Sequence, residues 1–297
     1  MKTRLLYTTG NGYFSETEWD KPEITDDEIE VKAIMTGVCR SDIDMMIGEF
    51  GPLPLSMQGH EGVGEVTKVG KNIKDVTVGN FVATRGEPAY ADFYNVKMKE
   101  YIRIPSAEPK YILEPVACGV NVVYQCYDLI KSKDGSGKRL LILGSGFLAW
   151  VAYTCLKFLN FEFDITVVGS NNQEIWGDIL TPNLHGTFDV IIDLSSKTDV
   201  FDQDILNNES LIIFGSQKVI TTDFSNILWK ACTMVFPSPR TDKFYHAMDL
   251  ARDMISSGML NVDEFWSNGY YREKEWVDAF NDGIARPYGY SRGYIFW

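Results

Sequence analysis

Histidine and cysteine are scarce in this chain of 297 residues, and basic residues are far fewer than acidic ones. The five cysteines are scattered, odd in number and never form a C-x-x-C pair, which argues against a disulfide framework and favours a reducing compartment. The formal net charge of −13 disfavours nucleic acid as a partner, because its phosphates would be repelled. With only three histidines, one that lies between glycines in a distinctive motif is a candidate functional residue.

Long apolar runs are also absent. No segment approaches the roughly 20 apolar residues that span a bilayer, and the short apolar run after residues 1–4 does not have the pattern of a signal peptide. We therefore expect no membrane partner and a cytoplasmic location. A hydrophobic content of 45% is normal for a globular protein, and a chain of this length is expected to form two domains.

The first third of the chain is rich in predicted strands. Residues 28–34 alternate with a period of two, which is typical of a half-buried strand. Residues 62–70 combine glycines with β-branched residues, as a strongly bent strand does. The segments 80–83 and 101–105 are further short strands, and the apolar spacing becomes helical over 114–131.

Beyond residue 139, short apolar segments alternate with helical ones. The predicted strands are 140–143, 164–168, 188–193 and 211–214. The predicted helices between and after them are 148–159, 224–230 and 244–257. This alternation predicts a parallel, doubly wound sheet, so the expected fold class is α/β with a β-rich first part. The tail beyond residue 260 is mixed and aromatic.

A glycine turn joins the predicted strand 140–143 to the helix that follows. Gly144 suits the tight turn, and Gly146 has no Cβ to obstruct a pyrophosphate that approaches the helix N-terminus at Phe147 and Leu148. The strand–turn–helix context predicts a dinucleotide-binding site, and an ordinary structural turn is the alternative.

The end of the next predicted strand bears on the choice of cofactor. Sites specific for NAD usually place Asp or Glu there, against the ribose hydroxyls. This chain has Gly169, followed by Ser170 and Asn171, which are able to donate hydrogen bonds to a 2′-phosphate. The missing acid favours NADP(H) over NAD(H), although no Arg or Lys follows closely.

Cys39 and His60 provide a thiolate and an imidazole for one metal ion. A catalytic zinc takes about three protein ligands and leaves one position open. Glu61 and Glu114 are the candidate oxygen ligands, and the choice between them stays open. Asp42 is a candidate acceptor for the ring N–H of His60, which would fix its tautomer. A buried cysteine alone is more often structural, but the set predicts a metal site.

These motifs resemble those of the medium-chain dehydrogenase/reductase family, the zinc alcohol and polyol dehydrogenases, along nearly the whole chain. The segment 37–42 is similar to the family's first zinc segment, and 59–62 is similar to its second. The Glu-Pro pair at 114–115 resembles that of the polyol, threonine and sugar dehydrogenase branch, where the glutamate serves at the metal.

The resemblance implies a GroES-like catalytic domain over 1–122, completed by 265–297, and a Rossmann cofactor domain over 123–264. It implies that Cys39 and His60 are zinc ligands. By the same resemblance, Glu61 or Glu114 is the third ligand, or the two exchange at the metal. Glu61 is also expected to be a catalytic residue.

Further roles follow from the resemblance. Ser41 would take the proton of the substrate, and Asp44 stands where alcohol dehydrogenases often have a relay histidine. Arg40 would reach the cofactor pyrophosphate, and Arg292 would be a second basic phosphate contact. The nicotinamide would be held near Cys118, at the start of the predicted helix.

Two departures from the family pattern matter. The region 85–94 is short and lacks the four clustered cysteines that hold a structural zinc in many members, so we expect a single, catalytic zinc. The stretch between the second predicted strand and residue 188 is too short for the usual two helices, so the adenine side of the cofactor pocket is expected to be more open.

The expected function is that of a zinc-dependent oxidoreductase that transfers a hydride between an alcohol or polyol, or its carbonyl form, and NAD(P), with its active site in the cleft between domains. One alternative is a zinc-free NADPH quinone or enone reductase on the same fold, which would have no need of the ligand set. The other is a non-catalytic nucleotide-binding protein on a decayed dehydrogenase scaffold, which would have no reason to keep Ser41. The substrate itself is not determined by the sequence.

The resemblance also bears on assembly. Members of the family pair through the edge strands of their cofactor domains, and 211–214 is the candidate strand here. An exposed apolar edge is a hazard unless it is paired or covered. The missing cysteine lobe favours a homodimer over a tetramer.

Overall fold

The computed structural model describes residues 1–51, 53–195, 204–216 and 224–297. Its strands, in chain order, are β1 (Lys2–Tyr7), β2 (Ser15–Asp20), β3 (Glu28–Gly37), β4 (Gly62–Val69), β5 (Phe81–Thr84), β6 (Phe93–Lys97), β7 (Tyr101–Ile104), β8 (Arg139–Leu143), β9 (Asp164–Val168), β10 (Leu180–Thr181), β11 (Phe188–Asp193), β12 (Leu206–Phe214), β13 (Thr233–Val235), β14 (Trp266–Tyr271) and β15 (Arg292–Phe296). Its α-helices are α1 (Arg40–Met46), α2 (Leu113–Tyr124), α3 (Tyr127–Lys131), α4 (Phe147–Phe158), α5 (Gln173–Trp176), α6 (Ser225–Trp229), α7 (Lys243–Ser256) and α8 (Arg272–Ala285).

The chain divides into two units. The first unit combines Met1–Pro115 with Ala251–Trp297, and the second unit is Val116–Leu250. Among the described residues, no helix combines the length and the apolar character that a membrane crossing requires.

A largely antiparallel sheet forms the first unit. Its strand order is β14-β15-β3-β4-β5-β7, with β6 also paired to β3, and β1 and β2 form a separate hairpin. The pairing of β3 with β4 is irregular at two places, and such irregularities bend strands. Ile29 and Val31 of β3 are fully buried and pack with Val66 and Tyr94 in the core of this sheet. The period-two pattern of residues 28–34 therefore arises because one face of this strand packs into the core.

The register of this sheet brings distant parts of the chain to one end. Gly62 of β4 pairs with Thr36 of β3 on one side and with Thr84 of β5 on the other. Gly37 pairs with Tyr294 of β15. The predicted metal ligands and the arginines near them adjoin these positions along the chain, so the register sets which of them meet.

The second unit is built on a six-stranded sheet in the order β10-β9-β8-β11-β12-β13. Every pair of neighbouring strands in this sheet is parallel. All four strands predicted between residues 140 and 214 belong to it, and helices alternate with strands along the chain. The antiparallel first unit and the parallel second unit confirm the predicted α/β fold class.

Two details differ from the sequence-based expectation, and the mixed tail resolves into regular elements. The helical segment 114–131 is two helices, α2 and α3, because the backbone at Cys126 (φ −99°, ψ 11°) leaves the helical range. The strand predicted as the edge, 211–214, is interior, since β12 lies between β11 and β13; Leu211, Ile212 and Ile213 are at most 1% exposed, as interior parallel strands are. The mixed tail consists of β14, α8 and β15, and β15 pairs with β3.

Candidate functional site

Cys39 is held at the start of α1. It is the N-cap residue, with extended backbone angles (φ −87°, ψ 154°). Its N–H donates a hydrogen bond of 2.9 Å to Oδ2 of Asp42, a carboxylate in the first turn, as in a capping box. The hydroxyl of Tyr90 donates to the same oxygen at 2.7 Å. The helix start therefore fixes both the thiol and a buried carboxylate beside it.

His60 is placed by a glycine turn. Gly59 has a φ of 74°, and a Cβ at this position would lie 2.6 Å from the ring of Tyr90, so glycine is required here. Nδ1 of His60 lies 3.6 Å from Oδ1 of Asp42, which is a charge contact rather than a hydrogen bond. Asp42 is fully buried, and Oδ1 has no hydrogen-bond partner within the described residues.

The electrostatic surroundings of His60 favour its charged form. Burial opposes protonation of the ring, but the charge of Asp42, the hydrogen bond with Cys39 and the charge of Glu114 outweigh it, and the pKa of His60 lies well above its usual value. Burial is the main cause that raises the pKa of the Cys39 thiol, and the charge of Glu61 adds to it. Such donors release their protons when they bind a divalent cation.

Glu61 is fully buried against Arg292. Nη2 of Arg292 donates to both carboxylate oxygens of Glu61, each at 2.6 Å. The guanidinium also lies over the ring of Trp266, with 5.2 Å to the ring centroid. Burial opposes the charge of Arg292, but Glu61 outweighs it and raises the pKa of the guanidinium above its usual range. The structure thus places Arg292 beside a candidate ligand, in the first unit.

The donor atoms of Cys39, His60 and Glu61 all lie within 4.8 Å of one another. Zinc bonds of about 2.0–2.3 Å in a tetrahedral arrangement separate two ligand atoms by about 3.5 Å, so small side-chain movements would close the set on one ion. Sulfur, imidazole nitrogen and carboxylate oxygen are all ligands that zinc accepts. The three residues therefore fit a catalytic zinc with one position left open.

Glu114 stands outside this three-donor set. Its side chain is 5% exposed, and Oε1 lies 3.8 Å from Nε of Arg85. Burial raises the pKa of the Glu114 carboxyl, against the charges of His60 and Arg85. Both glutamates that the sequence left as alternatives lie near an arginine, but among the described residues only Glu61 belongs to the donor set with Cys39 and His60.

The other residues predicted near the metal lie on α1. Ser41 is half-buried and follows Cys39 by two positions. Arg40 and Asp44 form an ion pair across one helical turn, with Nε 2.9 Å from Oδ1, so the predicted pyrophosphate contact and the predicted relay residue are partners of each other. The side chain of Arg40 is 61% exposed and that of Asp44 is 21% exposed.

A small, open cleft of the first unit lies beside Cys39. Arg40, Arg286, Tyr290 and Arg292 are among its lining residues. Arginine suits an anionic group such as a phosphate, but Arg40 is already paired with Asp44 and Arg292 with Glu61. Sequence reasoning missed Arg286 and Tyr290, because neither belongs to a motif and only the folded chain brings α8 and β15 to Cys39.

The predicted dinucleotide turn lies at the carboxyl end of β8 in the second unit. Gly144 has a φ of 105°, which explains the glycine. Gly146 is the N-cap of α4, and a Cβ there would meet no atom within 4 Å, so space is open where a ligand would approach. Phe147 and Leu148 form the first turn of α4, and the next residue, Ala149, is buried, which lets the helix pack closely against the sheet.

The segment after β9 braces this turn. The carbonyl of Ser145 accepts hydrogen bonds from Nδ2 of Asn172 at 2.8 Å and from Nε1 of Trp176 at 2.9 Å. The N–H of Asn171 donates to Oγ of Ser145 at 3.1 Å. Ser170 and Asn171 are exposed. The structure therefore brings the predicted 2′-phosphate residues to the glycine turn.

Cys118, the remaining predicted cofactor contact, is half-buried on α2 in the second unit. Leu194 and Ser195 follow β11. The N–H of Ser195 donates a hydrogen bond of 3.0 Å to Oδ1 of Asp193. Residues 196–203 and 217–223, which follow the next parallel strands at this edge, lie outside the described residues.

Comparison with known proteins adds three findings. Residues 25–108 match the model of the alcohol dehydrogenase GroES-like domain. D-arabinitol dehydrogenase 1 of Uromyces fabae is 24% identical, over 92% of this chain and 91% of its own length. D-arabitol-phosphate dehydrogenase of Enterococcus avium is 42% identical, over 42% of this chain and 44% of its own length. The chain spans only about half the length of several curated relatives that it matches, D-arabitol-phosphate dehydrogenase among them.

The fold is shared with solved structures. S. aureus TarJ, solved in complex with NADPH, superposes with a TM-score of 0.81 at 17% identity, over 100% of this chain and 99% of its own. The predicted GroES-like and Rossmann pairing is thereby confirmed as a fold. The matched GroES-like model and the similarity to polyol dehydrogenases support membership of the medium-chain dehydrogenase/reductase family.

Proposed function

We propose that the chain is a zinc-dependent oxidoreductase that transfers a hydride between an alcohol or polyol, or its carbonyl form, and NAD(P). The observation that carries the proposal is the donor set of Cys39, His60 and Glu61 within 4.8 Å, in a site where Arg292 balances one carboxylate. A zinc-free reductase on this fold has no need of such a set. A decayed scaffold has no reason to keep a buried thiol, imidazole and carboxylate together.

Each residue has a defined task in this proposal. Cys39, His60 and Glu61 bind the ion, and Asp42 faces Nδ1 of His60 and so orients the ring. A zinc ion held there would supply the Lewis acid that lowers the pKa of an alcohol, and NAD(P) would supply the hydride acceptor. Oγ of Ser41 takes the proton of the alcohol and passes it outward along α1, where Asp44 is partly exposed.

The second unit supplies the proposed cofactor site. Gly144 and Gly146 shape the turn, and the N-terminus of α4 holds the pyrophosphate. Ser170 and Asn171, exposed after β9, donate to a 2′-phosphate, so NADP(H) is the proposed cofactor. In this proposal the catalytic domain comprises residues 1–122 and 265–297, and the cofactor-binding domain comprises residues 123–264.

The substrate is proposed to be a sugar alcohol or its phosphate. Two relatives are named for arabinitol and arabitol phosphate, and the arginine-lined cleft beside Cys39 suits an anion. A screen of pentitols and pentitol phosphates with NADP⁺, followed by absorbance of the reduced cofactor, tests this. Oxidation of neither class would contradict the proposed substrate.

Zinc content tests the metal site directly. Elemental analysis of the purified protein should find about one zinc per chain. Cys39→Ser should lose the zinc and remain folded, whereas the control Cys232→Ser, a half-buried cysteine of the second unit, should keep it. Absence of zinc after zinc-replete expression would refute the proposed zinc enzyme and favour the zinc-free reductase.

The proposed assembly is a homodimer through the edge strand β13. Large apolar side chains near this edge are exposed: Leu228 by 73%, Trp229 by 83% and Phe236 by 67%. Among the described residues no strand pairs with the outer side of β13, and exposed apolar side chains there suit symmetric pairing with a second copy. Light scattering should give twice the chain mass of 33.7 kDa.

The proposed location is the cytoplasm. All five cysteines are free thiols, as in proteins of a reducing compartment. A thiol assay of protein prepared without reductant should find all five reactive after unfolding.

A further inference from the structure

Arg286 is a charged residue of the first unit to which the proposed mechanism gives no task. It lines the cleft beside Cys39 together with two other arginines, each of which is already paired with a carboxylate. Arg286 has no carboxylate partner among the described residues, and its Nη2 donates to the carbonyl of Ser291 over a long 3.3 Å. The residue is exposed. Its guanidinium therefore keeps most of its hydrogen-bond donors for a ligand.

The backbone at Arg286 is one that glycine adopts more easily than arginine. Arg286 is the C-cap of α8, with φ 46° and ψ 62°, in the left-handed region. Helices commonly end in this conformation on a glycine, and a proline soon afterwards stops the helix, as Pro287 does here. The end of α8 by itself would be more stable with glycine. A long charged side chain at such a position indicates a task outside the fold.

The lining of the cleft offers positive charge in a protein that is negative overall. The chain has a formal net charge of −13, yet no aspartate or glutamate lines the cleft within the part of the chain that the structure describes. Tyr290 adds a hydroxyl to this lining. Burial raises the pKa of the Tyr290 phenol, so the hydroxyl keeps its proton at neutral pH and is able to donate. A guanidinium and a phenol suit a phosphate, whose oxygens accept hydrogen bonds.

The place of the cleft favours the phosphate of a substrate over that of a cofactor. All of its lining residues belong to the first unit, and one of them, Cys39, is also a proposed zinc ligand. The glycine turn that is proposed for the cofactor pyrophosphate belongs to the second unit. A polyol phosphate that is oxidised beside Cys39 would carry its phosphate into the adjoining cleft.

We propose that Arg286 makes this protein selective for a phosphorylated polyol: its guanidinium binds the phosphate ester, while a hydroxyl of the same molecule is oxidised beside Cys39. The proposal rests on the proposed function and narrows it, because it selects polyol phosphates over free polyols. Arg286 is a binding residue in this proposal and takes no part in the transfer of the hydride.

Substrate preference tests the proposal. The ratio of kcat/KM for a pentitol 5-phosphate to that for the free pentitol is measured with the full chain and NADP⁺, for D-arabitol, ribitol and xylitol. The wild type should prefer a phosphate, and Arg286→Met should lower this ratio about tenfold to hundredfold, as expected for lost hydrogen bonds to a charged group. Arg286→Lys, which keeps the charge but not the fork of donors, should lie between them. Arg103→Met, which removes an exposed arginine from β7, is the control and should keep the wild-type ratio.

Binding of inorganic phosphate gives a readout without turnover. Calorimetry is done on the full chain saturated with NADPH, so that the phosphate sites of the cofactor are already filled. Arg286→Met should bind inorganic phosphate about tenfold more weakly than the wild type, and Arg103→Met should bind it equally well. If Arg286→Met instead weakened NADPH and kept the wild-type substrate ratio, the arginine would belong to a cofactor phosphate and the proposal would be overturned.

Arg286→Gly separates a task in binding from a task in the fold. Because glycine suits a φ of 46°, this variant should unfold at a urea concentration at least as high as the wild type, and should lose the phosphate preference as Arg286→Met does. A wild-type ratio in both variants, or a wild type that prefers free pentitols, would overturn the proposal and leave the proposed zinc enzyme intact. Oxidation of neither class by the wild type would overturn the proposed substrate, and the task of Arg286 with it.

Discussion

Replacement of Lys21 by methionine should destabilise the first unit by about 3 kcal/mol. The side chain of Lys21 is 0% exposed, and Nζ lies 2.8 Å from Oε2 of Glu30. Nζ also donates to Oδ1 of Asn95 at 2.7 Å and to the carbonyl of Pro22 at 3.0 Å. Methionine keeps most of the volume of the apolar stem but removes the charge and all three donors. The change therefore isolates the polar interactions of one buried ammonium group.

The size of the effect follows from what remains around Glu30, which is 3% exposed. Loss of one partner from a buried ion pair costs about 3–5 kcal/mol, because the other charge stays buried. Glu30 keeps contacts with Nζ of Lys68 at 3.0 Å and Oγ1 of Thr67 at 2.9 Å, so we expect the lower end of this range. Lys68→Met is the matched control. It removes a 43% exposed lysine from the same carboxylate and should cost about 0–1 kcal/mol.

The effect should depend on pH in a definite direction. Burial opposes the ionised form of Glu30, but Lys21, Lys68 and Thr67 outweigh it and hold the pKa of the carboxyl below its usual value. A carboxyl with a depressed folded-state pKa stabilises the fold above its unfolded-state pKa of about 4.3, and this stabilisation is lost as pH falls through the folded-state value. The difference between Lys21→Met and the wild type should therefore be full at pH 7 and shrink below about pH 4.

Urea unfolding at pH 7 gives the difference in free energy between the variants, and native-state hydrogen exchange at Ile29 and Val31 reports the first unit alone, since both amides belong to β3. A cost for Lys21→Met no larger than that for Lys68→Met would refute the reasoning, because it would mean that the buried ammonium contributes no more than an exposed one.

Three further predictions follow from single positions. Gly37→Ala should weaken zinc binding by about tenfold, because a Cβ at Gly37 would overlap the Glu61 carboxylate. Competition with a chelator measures the zinc affinity, and an unchanged affinity would contradict the proposal that Glu61 is a zinc ligand. Gly146→Val should leave the urea midpoint equal to that of the wild type, since a Cβ there meets no atom within 4 Å, but should weaken NADP(H) binding at least tenfold, as measured by calorimetry. An affinity equal to that of the wild type would exclude this turn as the pyrophosphate site. Trp229→Ser should shift the mass in light scattering from dimer to monomer, whereas Tyr288→Ser, which removes an even more exposed aromatic of the first unit, should not. A dimeric Trp229→Ser would refute pairing at the β13 edge.

The sequence by itself determined the local secondary structure and the side chains that are able to bind a metal or a cofactor. Alternation in 28–34 and the apolar runs 140–143, 164–168 and 188–193 reflect burial of strand faces, which is a property of neighbouring residues and can be seen in the chain. The glycine turn at Gly144 is likewise local, since a positive φ is a requirement of one residue. The donor types at Cys39 and His60 predicted a metal site from chemistry alone.

Only the tertiary structure decided which of these groups meet. Glu61 lies with Arg292 because the register of β3, β4 and β15 aligns parts of the chain that are far apart in sequence, and Glu114 of α2 lies near Arg85, which follows β5. That register is set by packing of the shared core, which no local period encodes. The edge of the parallel sheet is β13 rather than 211–214 for the same reason, since the order of strands depends on how distant segments pair. Local pattern shows what a segment can form, and long-range pairing determines what it touches.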